Sequence, residues 1–513
     1  MFLGIDIGTS GAKAIVIDRE GRIVGRGAST YPRSQPHPGW SEQDPRDWWE
    51  GASIAARQAL AGVDSTGVRA LALSGQMHGL TVIDADESFR AGTRVLNPVR
   101  PAILWNDQRC EAQCAEIEAA FGGRLACVRT LGNAPLAGFT LPKLLWLRKH
   151  EPDALANPGA FLLPKDYVRF TMTGELATDY GDASGTLMLD MQERRWSDQA
   201  CALAGIDRRR LPALRESAVN AGILTPWAAG EFGVPRATAA IAGSGDNQAG
   251  AVGAGVVKPG DALLSLGTSG VLYVHSDRAR FDDRTPGKPG RVHTFFAGDG
   301  KGGSPASWCN TGCMLSACAS LDWAKRELAP QVPLEALLEE AATAPAGSDG
   351  LVFLPHLTGE RCPHPSASAR GAWVGLTERH TRAHLVRAVL EGVALTMRQI
   401  LDIMREARAT VSRVRVIGGG AKSALWRQIH ADAMGVPLVS LESEEGPALG
   451  AAILAGVGMG AWPGVREACE VIVREKETTE PTASGTATYE EVLARYKTVY
   501  PGLESYCRAT AGE

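Results

Sequence analysis

The sequence predicts two α/β domains of like build, and three observations carry that reading. The chain has 513 residues, more than one hydrophobic core organises, because single cores stop growing at about 250–300 residues. One pattern occurs twice. FLGIDIGTSGAKAIVID (Phe2–Asp18) and LLSLGTSGVLYVH (Leu263–His275) each read apolar strand, Gly-Thr-Ser-Gly, apolar strand. Within each half, strand-like and helix-like stretches then alternate, as in mixed α/β folds.

In chain order, Gly8-Thr9-Ser10-Gly11 is expected to turn the first β-hairpin. DPRDWWEGASIAARQALAG reads as a helix with Asp44 as N-cap and Pro45 at its first position. VRALALSGQMHGLTVID reads strand, turn, strand. ATAAIAG is a strand that runs into IAGSGDNQAGAVGAG (Ile241–Gly255), which places Asp246 on a loop just past a strand end. VVKPGD (Val256–Asp261) breaks the pattern, so the domains are expected at 1–255 and 256–513. Gly267-Thr268-Ser269-Gly270 turns the second hairpin. RAHLVRAVLEGVALTMRQILDIM is a long amphipathic helix, and VSRVRVIGGGAKSALWRQIHADAMG reads strand, Gly-rich turn, helix. PALGAAILAGVGMG is an Ala/Gly helix packed closely on a sheet. The tail after about residue 462 is more polar, and KETTEPTASGTAT reads as a surface connector before a last helix.

Composition narrows the function. A net charge of −4 with 21% charged residues excludes a basic nucleic-acid-binding surface as the main activity. No apolar run approaches about 18 residues, so no membrane span is expected. The opening segment lacks a basic region, and Asp6 interrupts its apolar run, so it is not a secretory leader. The ten cysteines are scattered. Cys110 and Cys114, and likewise Cys309, Cys313 and Cys318, have helical rather than zinc-ligand spacing, and they read as reduced thiols of a cytoplasmic protein.

The chemistry sits in the turns. Two Gly-Thr-Ser-Gly hairpins, one per domain, suit a phosphorylated ligand gripped from both sides. Small turn residues offer backbone N–H groups, and Thr9, Ser10, Thr268 and Ser269 add hydroxyl donors. Lys13 brings a positive charge to the first turn. Asp6 lies inside an apolar strand, where a carboxylate needs a partner. That partner is either a hydrated metal ion beside the phosphate turn or the N–H groups of the turn itself. Gly418, Gly419 and Gly420 let a flat ring or a phosphate lie against backbone near a helix N-terminus, although no P-loop or dinucleotide fingerprint is present. Gln76 and His78 of SGQMHG could hydrogen-bond a polyol. Asp246, alone among small residues, fits either a turn-forming acid or a carboxylate that accepts a proton from an attacking hydroxyl.

These stretches together resemble the FGGY carbohydrate kinases over nearly the whole chain, least after about residue 462. GFTLPKLLWLRKH (Gly138–His150), with Lys143 and Trp146, and GAWVGLTERHTRAHLVRAVLE (Gly371–Glu391) are similar to the two family signatures. HPGWSEQDP, SGQMHG, AILWNDQRC, LLPKDYVRFTMTGE, GDNQAGAVGAG, LSLGTSGV, LPHLTGER and GGGAKS match further blocks. The resemblance implies two ribonuclease-H-like domains of the actin, hexokinase and sugar kinase superfamily, with sugar mostly on the first and ATP mostly on the second. It implies Asp246 as catalytic base, Asn247 as a sugar contact, and Met77 and His78 as the substrate pair. Asp6, with Asp246, is then associated with Mg²⁺. Thr9, Ser10, Lys13, Gly267 and Thr268 approach the ATP phosphates, and Gly419, Gly420 and Ser423 border the nucleotide. The helix with Asp322 and the Cys309–Cys318 region flank the adenosine. Glycerol kinases carry Arg-Glu where this chain has Met77-His78, which favours a ketose. The implied reaction is ATP-dependent phosphorylation of D-xylulose at its 5-hydroxyl, with ribulose, L-xylulose or another polyol as alternatives. A homodimer is a further expectation. A non-catalytic actin-like ATPase would share the paired turns but needs neither SGQMHG nor the GDN loop.

Overall fold

The computed structural model describes residues 1–511. Two sheets carry it. In the first, β1 (Phe2–Ile7), β2 (Gly11–Ile17) and β3 (Ile23–Thr30) form an antiparallel meander. β4 (Ala70–Gly75) lies parallel to β1, and β6 (Ala239–Gly245) parallel to β4, with β5 (Asn220–Ile223) antiparallel at the edge. The second sheet repeats this. β7 (Gly260–Leu266), β8 (Gly270–Ser276) and β10 (Trp308–Met314) form the meander, and β11 (Val411–Ile417) and β12 (Leu438–Leu441) follow in parallel. Its edges are β9 (His293–Phe296) and β13 (Glu475–Thr479). Both sheets therefore share the order third, second and first meander strand, then two parallel strands. This is the ribonuclease-H-like duplication.

Helices form where the sequence supplies caps and an apolar stripe. α1 (Pro45–Leu60) starts at Asp44, whose side chain accepts from Arg46 N. α5 (Arg382–Glu406) buries Val386, Leu390, Val393, Met397, Ile400 and Met404, spaced alternately three and four along one face. Two helices interlock the halves. α3 (Asp246–Gly253) follows the last parallel strand of the first sheet, and α7 (Gly446–Gly458) follows that of the second. α7 packs on the first sheet: a Cβ on Gly4 of β1 would lie 2.1 Å from Ala448 O. Ala251 and Ala254 of and beside α3 join the cluster containing Leu263 and Tyr273 of the second sheet.

Several expectations change. Asp246 is not on a loop; it is the first residue of α3, directly after Gly245. The strand after SGQMHG, Thr81–Asp84, leaves the main sheet and pairs with Pro158–Leu162. Cys309 and Cys313 lie on strand β10 rather than a helix. The polar KETT stretch is edge strand β13, whose side chains are almost all exposed. Backbone pairing holds such a strand, so its sequence carries no apolar period. The tail is part of the second core. Tyr489, Val492, Leu493, Tyr496 and Tyr500 of α9 (Ala483–Ala511) pack with residues of α5 and of α6 (Ala424–Met434). α8 (Val465–Ile472) buries Val465, Ala468, Cys469 and Ile472 on one face. Among the described residues no helix is long and apolar enough to cross a membrane.

Candidate active site

A cleft of ≈ 300 Å³ lies between the halves, with Met77, His78 and Asp246 on one wall and Ser269, His293 and Arg361 on the other. Its parts gather at strand ends, where ligands bind in open α/β sheets. Asp246 and Asn247 follow β6, Met77 and His78 follow β4, and the two Gly-Thr-Ser-Gly turns close the β1–β2 and β7–β8 hairpins.

The first Gly-Thr-Ser-Gly turn is anchored from behind. Gly8 O accepts from Tyr31 Oη at 2.6 Å, Thr9 O from Gln43 Nε2 at 2.7 Å and Ser10 O from Tyr31 N at 3.4 Å. A trans peptide sets each N–H opposite the preceding carbonyl, so the N–H groups of Thr9 and Ser10 point away from these anchors. The second turn is built alike. Gly267 O accepts from Cys318 N and Thr268 O from Ala317 N, each at 2.9 Å, at the start of α4 (Cys318–Leu328). Ser10 and Thr268 are exposed. The expectation of a free Thr9 hydroxyl is corrected, because Thr9 Oγ1 donates to Gln76 Oε1 at 3.2 Å. Gln76 itself is 1% exposed and is held in that network rather than offered to a polyol.

Asp6 pairs across the hairpin with Lys13. Asp6 Oδ1 is buried and has no hydrogen-bond partner among the described residues. Burial pushes the Asp6 carboxyl up to about 6, against the pull of Ser74 and Lys13. Burial, then the Asp6 charge, pushes Asp246 up to about 7. Asp246 Oδ1 accepts from Asn247 Nδ2 at 3.1 Å, and that amide also lies 3.6 Å from Met77 Sδ, which ties the acid to the Met77–His78 turn. Two desolvated carboxylates, one with an orphaned oxygen, fit a hard divalent cation. No cluster of three or more His, Cys, Asp or Glu that could hold a metal occurs among the described residues.

His78 is held in a left-handed backbone conformation, φ 66°, uncommon for a non-glycine residue. Three bonds hold it there. Its Nδ1 lies 2.6 Å from Gly185 O, and its own carbonyl accepts from Lys143 Nζ at 2.7 Å and Thr140 Oγ1 at 3.1 Å, both on α2 (Thr140–His150). Burial lowers the imidazole well below its ordinary range, so it is neutral. Its Nδ1 donates to the carbonyl, and Nε2 is left as an acceptor.

At the Gly-rich turn, Gly418 has φ 93° and a Cβ there would lie 2.4 Å from Leu266 O. Glycine is therefore obligatory at Gly418, whereas Gly419 has open space around it and Gly420 packs on Leu266 and Trp426. Ser423 caps α6, accepting from Trp426 N at 3.2 Å. The sequence reading gave no role to Trp105, Arg361, His293 or Phe295, all of which line the cleft. The alternation in RVHTFFAG puts His293 and Phe295 on one face of β9 and was the available signal. The backbone before Arg361 is pinned by its neighbour: Glu360, 4% exposed, accepts from Leu315 N, Arg361 N and His356 Nδ1.

A buried carboxylate in a cleft between two halves of like build, each carrying a Gly-Thr-Ser-Gly hairpin, is the plan of a two-domain phosphotransferase. The chain belongs to the FGGY family of carbohydrate kinases: residues 1–253 match its N-terminal domain and residues 262–459 its C-terminal domain. It is 40% identical to the xylulose kinase of Escherichia coli (strain K12), covering 98% of this chain and 99% of that one. It is 38% identical to the xylulose kinase of Bacillus subtilis (strain 168), covering 97% and 96%. A crystal structure of a xyloylose kinase from Brucella ovis superposes with a TM-score of 0.88 at 36% identity, covering 98% of this chain and 99% of that chain.

Lys143 gives a test of the Met77–His78 turn. Burial lowers its ammonium to about 7, and its two acceptors are His78 O and Gly138 O, each at 2.7 Å. Lys143→Met keeps the length and strips both bonds. Losing a buried partner costs about 1–3 kcal/mol, so the KM for sugar should rise by about tenfold or more while the KM for ATP holds. Steady-state kinetics with each substrate varied checks this.

Proposed function

We propose that this chain transfers the γ-phosphoryl group of ATP to the 5-hydroxyl of D-xylulose. The observation that carries the reading is the junction of acid and sugar turn, where Asn247 Nδ2 bridges Asp246 Oδ1 and Met77 Sδ. A hydroxyl seated on Met77, His78 and Asn247 would lie beside a carboxylate that burial has raised to about 7. Two xylulose kinases at 38% and 40% identity over nearly the whole chain support the choice of sugar.

In this reading Asp246 accepts the hydroxyl proton as the oxygen attacks phosphorus. Thr9, Ser10, Lys13, Gly267 and Thr268 hold the β- and γ-phosphates, and Gly419, Gly420 and Ser423 border the nucleotide. Asp6 and Asp246 would hold Mg²⁺, which neutralises charge on the phosphate oxygens. We assign residues 1–255 to the sugar-binding unit and 256–513 to the ATP-binding unit. All ten cysteines are unpaired, which supports a cytoplasmic location. Closure of the two halves would exclude water, the competing acceptor.

A panel of D-xylulose, D-ribulose, L-xylulose, xylitol and glycerol, with ADP release coupled to a detectable signal, tests the assignment. D-xylulose should show the highest kcat/KM. A higher value for any other acceptor would reassign the substrate, and ADP release indifferent to sugar would favour an actin-like ATPase.

The pH profile follows from the acid. Only the carboxylate form of Asp246 accepts a proton, and that group ionises at about 7. Activity is therefore present above that pH and is lost as pH falls through it, about tenfold per unit on the acid limb. The Asp6 charge helps to raise Asp246, so Asp6→Asn should move the limb to lower pH. A kcat/KM profile from pH 5 to 9 for both proteins reads this out.

A further inference from the structure

The sugar turn and the first phosphate turn sit side by side, because β1 and β4 are parallel neighbours with Ile7 opposite Gly75. Beyond the strand ends a chain of side-chain hydrogen bonds joins them. Trp48 Nε1 donates to Gln43 Oε1 at 3.0 Å, and Gln43 Nε2 donates to Thr9 O at 2.7 Å and Pro32 O at 3.1 Å. Gln76 Nε2 donates to Gln43 Oε1 at 2.9 Å. Thr9 Oγ1 donates to Gln76 Oε1 at 3.2 Å, and Trp105 Nε1 donates to Thr9 Oγ1 at 3.0 Å. Gln43 and Gln76 are 2% and 1% exposed, so water does not compete for these groups.

The direction of every bond is forced. An indole N–H only donates, and backbone carbonyls only accept. Trp48 on one side of Gln43 and two carbonyls on the other therefore fix its amide. Gln43 Oε1 must then receive the amino group of Gln76, which turns the Gln76 carbonyl towards Thr9. The Thr9 hydroxyl has one proton, and it goes to Gln76. Its oxygen takes the Trp105 N–H. Thr9 is thus gripped at its carbonyl by Gln43, at its hydroxyl by Gln76 and by Trp105, a residue that itself lines the cleft.

We propose that Gln76 is a positioning residue that couples the sugar turn to the phosphate turn through Thr9. It immediately precedes Met77 and His78. A sugar seated on Met77 and His78 would act through this one buried amide on Thr9, and so on the N–H groups of the first Gly-Thr-Ser-Gly hairpin. Without a sugar nothing bears on that link, and phosphoryl transfer to water stays slow. This inference rests on the sugar-kinase reading above. It assigns the Thr9 hydroxyl to aligning its own backbone rather than to the phosphate.

The test compares ATP turnover with saturating D-xylulose and without sugar, and takes their ratio for wild type, Gln76→Met, Thr9→Val, Thr9→Ser and the Gln76→Met/Thr9→Val double variant. Misplacement of about an ångström can cost about 10²-fold in rate. Gln76→Met and Thr9→Val should each lower the sugar-stimulated kcat by about 10–10²-fold and the ratio by at least about tenfold, with the KM for sugar within about threefold. The double variant should be no worse than either single one, because both break the same link. Thr9→Ser keeps the hydroxyl and should restore most of the ratio. If Gln76→Met fails to fold, Thr9→Val against Thr9→Ser decides alone. A Thr9→Val ratio within about twofold of wild type, multiplicative losses in the double variant, or a Thr9→Ser enzyme as impaired as Thr9→Val would each overturn the coupling. Wild type inactive on D-xylulose would instead overturn the substrate assignment. The ratios would then be measured with whichever sugar of the panel is turned over.

Discussion

Asp246→Ala should lower turnover with ATP and D-xylulose by about 10²–10⁴-fold, the usual worth of a positioned general base. The KM for ATP should move little, since the proposed nucleotide contacts, the two hairpins and the Gly-rich turn, are left in place. Activity should not vanish, because positioning and charge neutralisation supply much of the rate in phosphoryl transfer. Asp246→Asn, which keeps the shape and the Asn247 contact, should fall in the same range, showing that the loss is of proton affinity and not of packing. The geometry explains why this acid is fit for the task. The N-terminus of α3 favours the anion, yet burial and the Asp6 charge outweigh it and lift the group to about 7. A carboxylate near the working pH is the stronger base. An Asp246→Ala enzyme within threefold of wild type would remove Asp246 from the mechanism.

Gly450→Val should be the most destabilising of the substitutions considered. A Cβ at Gly450 would stand 1.8 Å from Ala249 O, and one at Gly253 would stand 1.9 Å from Gly446 O. Both obstacles are backbone of the facing helix, so no side chain can swing aside. α3 and α7 must separate, and each is wedged against a sheet. Overpacking of this kind costs about 1–3 kcal/mol or more, which for a unit of this size lowers Tm by roughly 5–10 °C. Catalysis should suffer as well, because Gly250 of α3 and Pro447 of α7 form part of the cleft wall. Gly230→Ala is the control. Nothing lies within 4 Å of a Cβ there, and its Tm should be unchanged or slightly higher. Equal Tm values for Gly450→Val and Gly230→Ala, by thermal melting, would show that the helix crossing is not the tight point.

The repeated GTSG motif made the duplication legible, since a hairpin turn is a local event written in four residues. Asp246 stood out for the same kind of reason, as a lone acid in a Gly/Ala stretch. Other features left no local trace. β13 is polar because it is held through backbone and faces solvent, so it read as a connector. His293 and Phe295 reach the cleft beside His78 only because β9 pairs at the edge of the second sheet and packs against the first half, where Phe296 N donates to Ser184 Oγ. Gln76 looked like a sugar contact because glutamine in a turn beside histidine is a reasonable polyol ligand. Burial against Gln43 and Thr9 gives it another task.

The amino-acid sequence by itself determined the two-fold α/β plan, the two Gly-Thr-Ser-Gly hairpins, the lone acid among small residues and the family. Each of these depends on short-range patterns: strand periodicity, turn chemistry and motifs a few residues long. Tertiary structure alone decided how the glycines of Ile241–Gly255 are used. Gly243, at φ 74° with a Cβ position 1.8 Å from Leu73 O, lets β6 bulge against β4, and Gly253 admits the backbone of α7. It also decided that Asp246 opens a helix, that the Asp6 charge reaches it, and that Thr9 is bonded to Gln76. These are consequences of segments about 70–240 residues apart being brought within a few ångströms, a distance that only packing of the whole chain sets.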